Sequence, residues 1–376
     1  MSEVNLELTP AQGHRLAADF IRRKIRKGEY RPGDNLPSME TLAAELGLHR
    51  NTVDAGMNLL HKEKLVYSRF GGGTVVCAKL PASLKSVALL LPDTDSEHWK
   101  RVSKEIALIL QCADWKLDIY PHRGSSRTFK KLVHRLNAGL YAGALIAATH
   151  DLVNSYPALV SLVRDGFPIT FIGHGLDEAD CWIVDDGDFA GGYHGTKHLL
   201  ECRFKRIGLI GCKLYNGEDF IQGCRQALYE RNGDPMATGY AEDAKHALRL
   251  LKSWLESDDL RLDAVFFHRV EHAQPAFEYL QSKRIKIGGS LGFLTFDDTL
   301  FHRLTIPSPT AIRRYPEKLA RRIADMFLTQ LSLPFEQRNF ARSIEAQIGL
   351  DIGRTTGDRR IRKVFYAENP YGGRRE

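Results

Sequence analysis

The chain has 376 residues, 43% apolar and 26% charged, enough for a sizeable core and for two or three domains at roughly 100–200 residues each. No run reaches the ~18 uninterrupted apolar residues of a membrane helix, since Val87–Leu91 stops at Pro92. The net charge of +7 and pI near 9.0 permit an anionic partner but do not require one.

Met1–Glu7 is acidic and lacks a basic-then-apolar signal pattern, so a cytoplasmic protein without membrane association is expected. The first 78 residues read as three helices and a hairpin. Thr9-Pro10 starts a helix whose apolar positions run from Leu16 to Ile25, and Gly28 ends it. Arg31-Pro32-Gly33-Asp34 is a turn, and Ser38 caps a second helix that stops at Gly47. A third helix follows after Gly47-Leu48-His49, with Val53, Met57 and Leu60 on its apolar stripe. Two helices joined by so short a Gly-containing turn form a helix-turn-helix. The β-rich runs Leu65–Ser68 and Thr74–Cys77, joined by Gly71-Gly72-Gly73, add a wing.

Residues 79–85 read as a linker. From Ser86 strand-like runs (Val87–Leu91, Trp115–Tyr120, Gly143–Ala147, Ile169–Ile172, Ile207–Ile210, Ala264–Phe267, Leu291–Phe296) alternate with amphipathic stretches. Such alternation predicts parallel sheets with right-handed crossovers. The length of this part predicts two lobes within residues 86–350. The first is expected at about 86–203 and 305–332, the second at about 206–298 and 338–350. Residues 351–376, rich in Arg359, Arg360, Arg362, Lys363, Arg374 and Arg375, read as a basic polar tail. The six cysteines form no CxxC pair, and the 14 histidines form no HExxH. No disulfide framework, metal or cofactor is expected.

The third helix begins with His49-Arg50-Asn51-Thr52. A helix in a DNA major groove needs short polar or guanidinium side chains at that end. Arg50 can fork to guanine or clamp a phosphate, Asn51 can read adenine, and Thr52 can meet a phosphate or a thymine methyl. Arg69 and Gly72 of the wing, with Ser38, complete the expected DNA contacts. The run Arg22, Arg23, Lys24, Arg26, Lys27 reads either as added electrostatic attraction or as a solvated helix face.

Residues 8–78 resemble the GntR family of winged-helix regulators. The resemblance rests on Gly28-x-x-x-Pro32-Gly33-Asp34-x-Leu36-Pro37-Ser38, Leu42-Ala43-x-x-Leu46-Gly47-Leu48-x-Arg50-Asn51-Thr52-Val53, and Gly73-Thr74-x-Val76. Glu40, His49 and Asp54 depart from the family's usual residues. Residues 85–348 resemble the LacI/GalR group of effector domains, with the two-lobed periplasmic-binding-protein-like fold (type I). That resemblance is carried in order by motifs such as Val87–Pro92, Gly143–Ile146, Val184-Asp185-Asp186, Arg206–Ile210 and Phe296-Asp297-Asp298.

The two resemblances imply an N-terminal α+β winged helix-turn-helix plus a two-lobed α/β domain. They also imply a homodimer on a double-stranded operator, acting as a repressor and modulated by a small carbohydrate-like effector. The matching cleft positions are Asp93, Trp99, Asp185, Phe220, Tyr240, Arg269 and Asp297. Carboxylates suit sugar hydroxyls, and Trp99 or Tyr240 can cover a sugar face or serve as core. Phe220 replaces an Arg usual in relatives, and Arg269-Val270 replaces Asn-Asp. Arg269 therefore either faces an acidic group, as on a sugar acid, or pairs with Asp297. A sugar- or nucleoside-processing α/β enzyme is the alternative class. It finds no GxSxG, GxxxxGK[ST] or strand-to-helix GxGxxG motif to support it.

Overall fold

The computed structural model describes residues 10–26, 29–31, 33–63, 65–69, 73–77, 85–137, 140–213, 215–296, 301, 305–334, 337–338, 340–357 and 364–366. In the head, α1 (Pro10–Arg26), α2 (Met39–Leu46) and α3 (Arg50–Lys62) precede the hairpin of β1 (Val66–Arg69) and β2 (Gly73–Val76). Ser38 Oγ accepts from Thr41 N–H at 3.1 Å and so caps α2. Gly47 ends that helix at φ 62°, a left-handed conformation that glycine adopts without penalty. The apolar stripe Val53, Met57 and Leu60 packs with Ala17, Ile21 and Leu42 in one small core. Gly56 lets α3 press on α1, because a Cβ there would stand 2.7 Å from His14 O.

Two lobes follow. The elements in chain order are β3 (Ser86–Leu91), α4 (Glu97–Cys112), β4 (Lys116–Pro121), α5 (Ser126–Asn137), β5 (Gly143–Ala148), α6 (His150–Asn154), α7 (Pro157–Arg164), β6 (Ile169–Gly173) and β7 (Trp182–Asp185). Next come α8 (Asp188–Glu201), β8 (Ile207–Cys212), α9 (Gly217–Tyr229), β9 (Ala237–Ala241), α10 (Ala244–Leu255), β10 (Ala264–Phe267), α11 (Val270–Ser282) and β11 (Gly292–Phe296). The last are β12 (Thr310–Arg314), α12 (Pro316–Ser332), β13 (Arg342–Glu345), β14 (Ile348–Asp351) and β15 (Val364–Tyr366). The first sheet has the order β13-β7-β6-β5-β3-β4, parallel throughout. The second has the order β15-β14-β12-β11-β10-β8-β9 and turns antiparallel at β14 and β15. The head, the two lobes and the parallel sheets are those the sequence predicts.

The lobe boundaries differ from the expected ones. Among the described residues the chain changes lobe between β7 and α8, between β12 and α12, and between β13 and β14. Helix α8 therefore belongs to the second lobe, where Gly191 meets Phe296 and Ile312, and Gly195 meets Phe266 and Leu294. Strand β12 also sits in the second sheet, whereas β13 closes the first. Strand-helix alternation cannot distinguish a helix that covers its own sheet from one that crosses over. The expected tail also contributes structure: Thr355 and Thr356 are buried, Phe293 N–H donates to Thr355 O at 3.0 Å, and Val364–Tyr366 pair with β14. Residues 358–363 and 367–376 of the tail and most of the expected linker lie outside the described residues.

Helices α8 and α9 pack backbone to backbone. A Cβ on Gly223 would stand 2.0 Å from Phe189 O, and one on Gly192 would stand 2.3 Å from Phe220 O. Neither carbonyl can swing aside without breaking its helix. Gly223→Ala is expected to cost about 1–3 kcal/mol by overpacking. Gly233→Ala, whose Cβ would meet nothing nearer than 3.6 Å, should change stability by less than about 0.5 kcal/mol. Urea denaturation of the full chain measures both, and equal effects would refute the close-packing account.

Candidate DNA interface and interlobe cleft

At the head, His49, Arg50 and Asn51 are exposed at the N-terminus of α3, and Thr52 is half-buried. Ser38 is exposed and its hydroxyl contacts Thr41 Oγ1 at 2.9 Å, so it acts as a cap beside that surface. Arg69 is exposed at the last pair of the hairpin, opposite Gly73, while Gly72 lies outside the described residues. The basic run of α1 is partly spent inside the head. Arg22 is buried, its Nε donates to Glu63 Oε2 at 2.8 Å, and Lys24 Nζ reaches Glu45 at 2.7 Å. One contact was not expected: Arg50 Nε lies 3.0 Å from Glu40 Oε1.

Between the lobes the structure brings together Asp93 and Arg269. Asp93 follows β3, and its Oδ1 accepts from the N–H groups of Asp95 (3.0 Å) and Ser96 (2.6 Å). Its Oδ2 faces Arg269 Nη2 at 3.6 Å, and Arg269 Nε donates to Glu271 Oε2 at 3.4 Å. Arg269 thus has two carboxylates from the chain itself. Asp297 lies outside the described residues.

The other expected cleft residues fall elsewhere. Trp99 is core of the first lobe, edge-on to Tyr215 at 5.3 Å. Phe220 is fully buried, stacked on His268 at 4.9 Å and edge-on to Phe266 at 4.8 Å, so it is packing and presents no face to a ligand. Tyr240 stands on the edge strand β9, where its hydroxyl donates to Glu218. Asp185 stands at the first lobe crossing, accepting from Gly187 N–H at 2.7 Å.

The centre of the cleft is a network the sequence reading missed. Asp188 Oδ1 accepts from Arg314 Nη2 and from His268 Nε2 (2.9 Å). His268 Nδ1 accepts from Cys212 N–H at 3.3 Å, which places the proton of the neutral ring on Nε2. Asn216 donates to Asp186 Oδ2 at 3.0 Å, Tyr215 donates to Ile172 O at 3.1 Å, and His174 pairs with Asp219 at 2.9 Å. The last two join one lobe to the other. Ser96, His98, His268, Arg269, Glu271 and Arg314 line a cavity of only about 10 Å³, room for one water at most. Arg314 Nε is buried there without a hydrogen-bond partner among the described residues. The available signal in sequence was position: His268-Arg269 and Arg314 end strands, and Asp188 opens a helix at a crossing.

These features define a winged-helix head joined to a two-lobed domain that closes on a polar cleft. The comparisons assign both parts. Residues 15–76 match the model for bacterial regulatory proteins of the gntR family, and residues 196–356 match that for the periplasmic binding protein-like domain. The chain thus carries a GntR-type helix-turn-helix domain followed by a periplasmic-binding-protein-like domain. It is 24% identical to the arabinose metabolism transcriptional repressor of Halalkalibacterium halodurans, over 74% of this chain and 78% of that one. Its fold is similar to a solved transcriptional regulator CelR–cellobiose complex (TM-score 0.62, 17% identity, 85% of this chain and 100% of that one). It is similar also to a dimeric Lac repressor (TM-score 0.62, 14% identity, 72% and 98%). Among the described residues no helix is long and apolar enough to cross a membrane.

The buried charges give a pH signature. Burial, then the neighbouring Asp186, pushes the Asp185 carboxyl up to about 7. Burial, then Asp188, pushes Asp186 up to about 7, and burial raises Asp188 against the opposing pull of Arg314. Burial holds His268 well below 6.5, helped by Arg314, and burial with Arg269 brings His272 to about 4. Below about pH 6.5 the imidazoles gain protons on unfolding while the carboxyls lose them, so the two effects oppose. From about pH 7 to 8 the imidazoles are mostly neutral in both states and the carboxyls dominate: the folded state holds protons the unfolded state has lost. Stability is therefore expected to fall as pH rises through that window. Asp186→Asn should flatten the fall. A melting temperature that rises between pH 7 and 8 would contradict this assignment.

Proposed function

We propose that this protein is a DNA-binding transcriptional repressor, working as a homodimer, whose operator affinity is set by a small carbohydrate held between the lobes. The observation that carries the reading is the exposed His49-Arg50-Asn51 mouth of α3 on a head joined to a hinged, polar-lined two-lobed domain. Two heads in a symmetric dimer match a palindromic operator. Exposed Leu108 on α4 and Ile119 on the edge strand β4 are the first-lobe surface we assign to that contact. The names of the relatives, an arabinose metabolism repressor and a regulator solved with cellobiose, support the repressor and carbohydrate parts. Arg269 already meets Asp93 and Glu271, which favours a neutral sugar over a sugar acid. Effector entry opens the lobes and changes the spacing of the heads.

Fluorescence anisotropy on duplex DNA tests the head. Arg50→Ala should weaken specific binding by about 1–3 kcal/mol if Arg50 forks to guanine. Unchanged affinity for every sequence would remove Arg50 from the interface. A thermal-shift screen tests the cleft: a bound sugar stabilises by about 2.7 kcal/mol at a hundredfold excess over its Kd. Asp93→Asn and Arg269→Gln should both weaken that shift. A response confined to sugar acids, or a chain monomeric at micromolar concentration, would overturn the corresponding part of the reading.

A further inference from the structure

Glu40 is the second residue of α2 and Arg50 the first of α3. Their side chains meet in the open, 68% exposed for Arg50 and 64% for Glu40, with Arg50 Nε 3.0 Å from Glu40 Oε1. The carboxylate is itself held. Its own backbone N–H, then the Arg50 guanidinium, keep its pKa below the ordinary glutamate value. Both residues lie at helix N-termini that face the surface expected to meet DNA.

The atom that Glu40 holds decides what Arg50 can do. A guanidinium has five N–H donors, one on Nε and four on the two terminal nitrogens. Glu40 approaches the guanidinium at Nε, and the Nη pair beside it forms a planar fork. That fork matches O6 and N7 of guanine in the major groove. An arginine without such a partner at a helix N-terminus is a general cation beside a phosphate-binding site. Glu40 alters that balance, since it neutralises the pair and repels backbone phosphate while leaving the fork intact.

We propose that Glu40 is a specificity-determining residue. It pairs with Arg50 on the Nε side of the guanidinium so that the Nη fork presents to one guanine, and it disfavours the use of Arg50 as a phosphate clamp. The proposal rests on the DNA-binding reading above. Glu40 trades non-specific affinity for discrimination, so its removal should tighten binding to arbitrary DNA while blurring the recognised base.

The experiment selects full-length wild type, E40A, E40Q and R50A against a randomised duplex library. It then measures anisotropy on the wild-type winner, with each guanine in turn replaced by 7-deazaguanine, which lacks N7. Wild type should lose about tenfold or more at one guanine, and R50A should abolish that dependence. E40A should reduce it to about threefold or less, bind non-specific DNA more tightly, and steepen the salt dependence by about one unit. E40Q keeps an acceptor for Nε without the charge. It should retain the guanine dependence yet share the tighter non-specific binding. Equal guanine dependence in wild type and E40A, or weaker non-specific binding by E40A, overturns the proposal while leaving the regulator reading intact. Failure of wild type to enrich any sequence overturns both.

Discussion

Asp188 and Arg314 stand at two of the points where the chain leaves one lobe for the other, and the ion pair between them ties those crossings together. Asp188 opens the first helix of the second lobe, and Arg314 ends the strand after which the chain returns to the first. The third crossing lies against the same place: Ala346 N–H donates to Asp185 O at 2.8 Å. A buried pair of this kind is weak evidence for added stability, because both charges lose hydration. Its consequence is geometric. Removing either partner would strand a buried charge, so the crossings are held in register as a unit, and the lobes can move only about that unit.

The rest of the cleft follows from this anchor. Asp188 needs donors, and His268 supplies one only in the Nε2–H tautomer, which Cys212 N–H fixes from the other side. Phe220 stacks on that imidazole and extends the anchor into the apolar core of the second lobe. Asp186, one turn of chain away, is met by Asn216 instead of a cation. Burial first, then the neighbouring carboxylates, raise Asp185 and Asp186 to about 7, while Arg314 opposes the rise at Asp188. The chain has put its charge excess where the lobes meet, so lobe closure and proton content are coupled.

How much of this was readable beforehand differs by region, for physical reasons. The head was legible because its signals are local: a cap at Ser38, a left-handed Gly47 and an apolar stripe on α3 each act within a few residues. The sheets were legible as continuous apolar runs. The lobe boundaries were not, because membership of α8 depends on Gly191 and Gly195 admitting Phe296 and Phe266 from strands about a hundred residues away. Phe220 was assigned to the cleft by its position in a resemblance, and its stacking on His268 shows that burial decides the role of an aromatic. Arg269 meets Glu271 two residues on and Asp93 from the first lobe, and the second contact needed the placement of the lobes. The Arg50–Glu40 contact spans two helices and needed their relative placement.

A cleft filled by its own side chains also constrains how an effector can act. The cavity lined by His98, His268, Arg269, Glu271 and Arg314 measures about 10 Å³, room for one water and not for a sugar. On the proposed reading, an effector at that cavity would draw on a more open arrangement, and its affinity would be reduced by the fraction of time the lobes spend there. The Asp93–Arg269 and His174–Asp219 contacts both join one lobe to the other. An effector shifts the equilibrium only by its differential affinity for the two arrangements. Linkage makes any such coupling reciprocal: if DNA prefers one lobe arrangement and an effector the other, each weakens the binding of the other by the same factor.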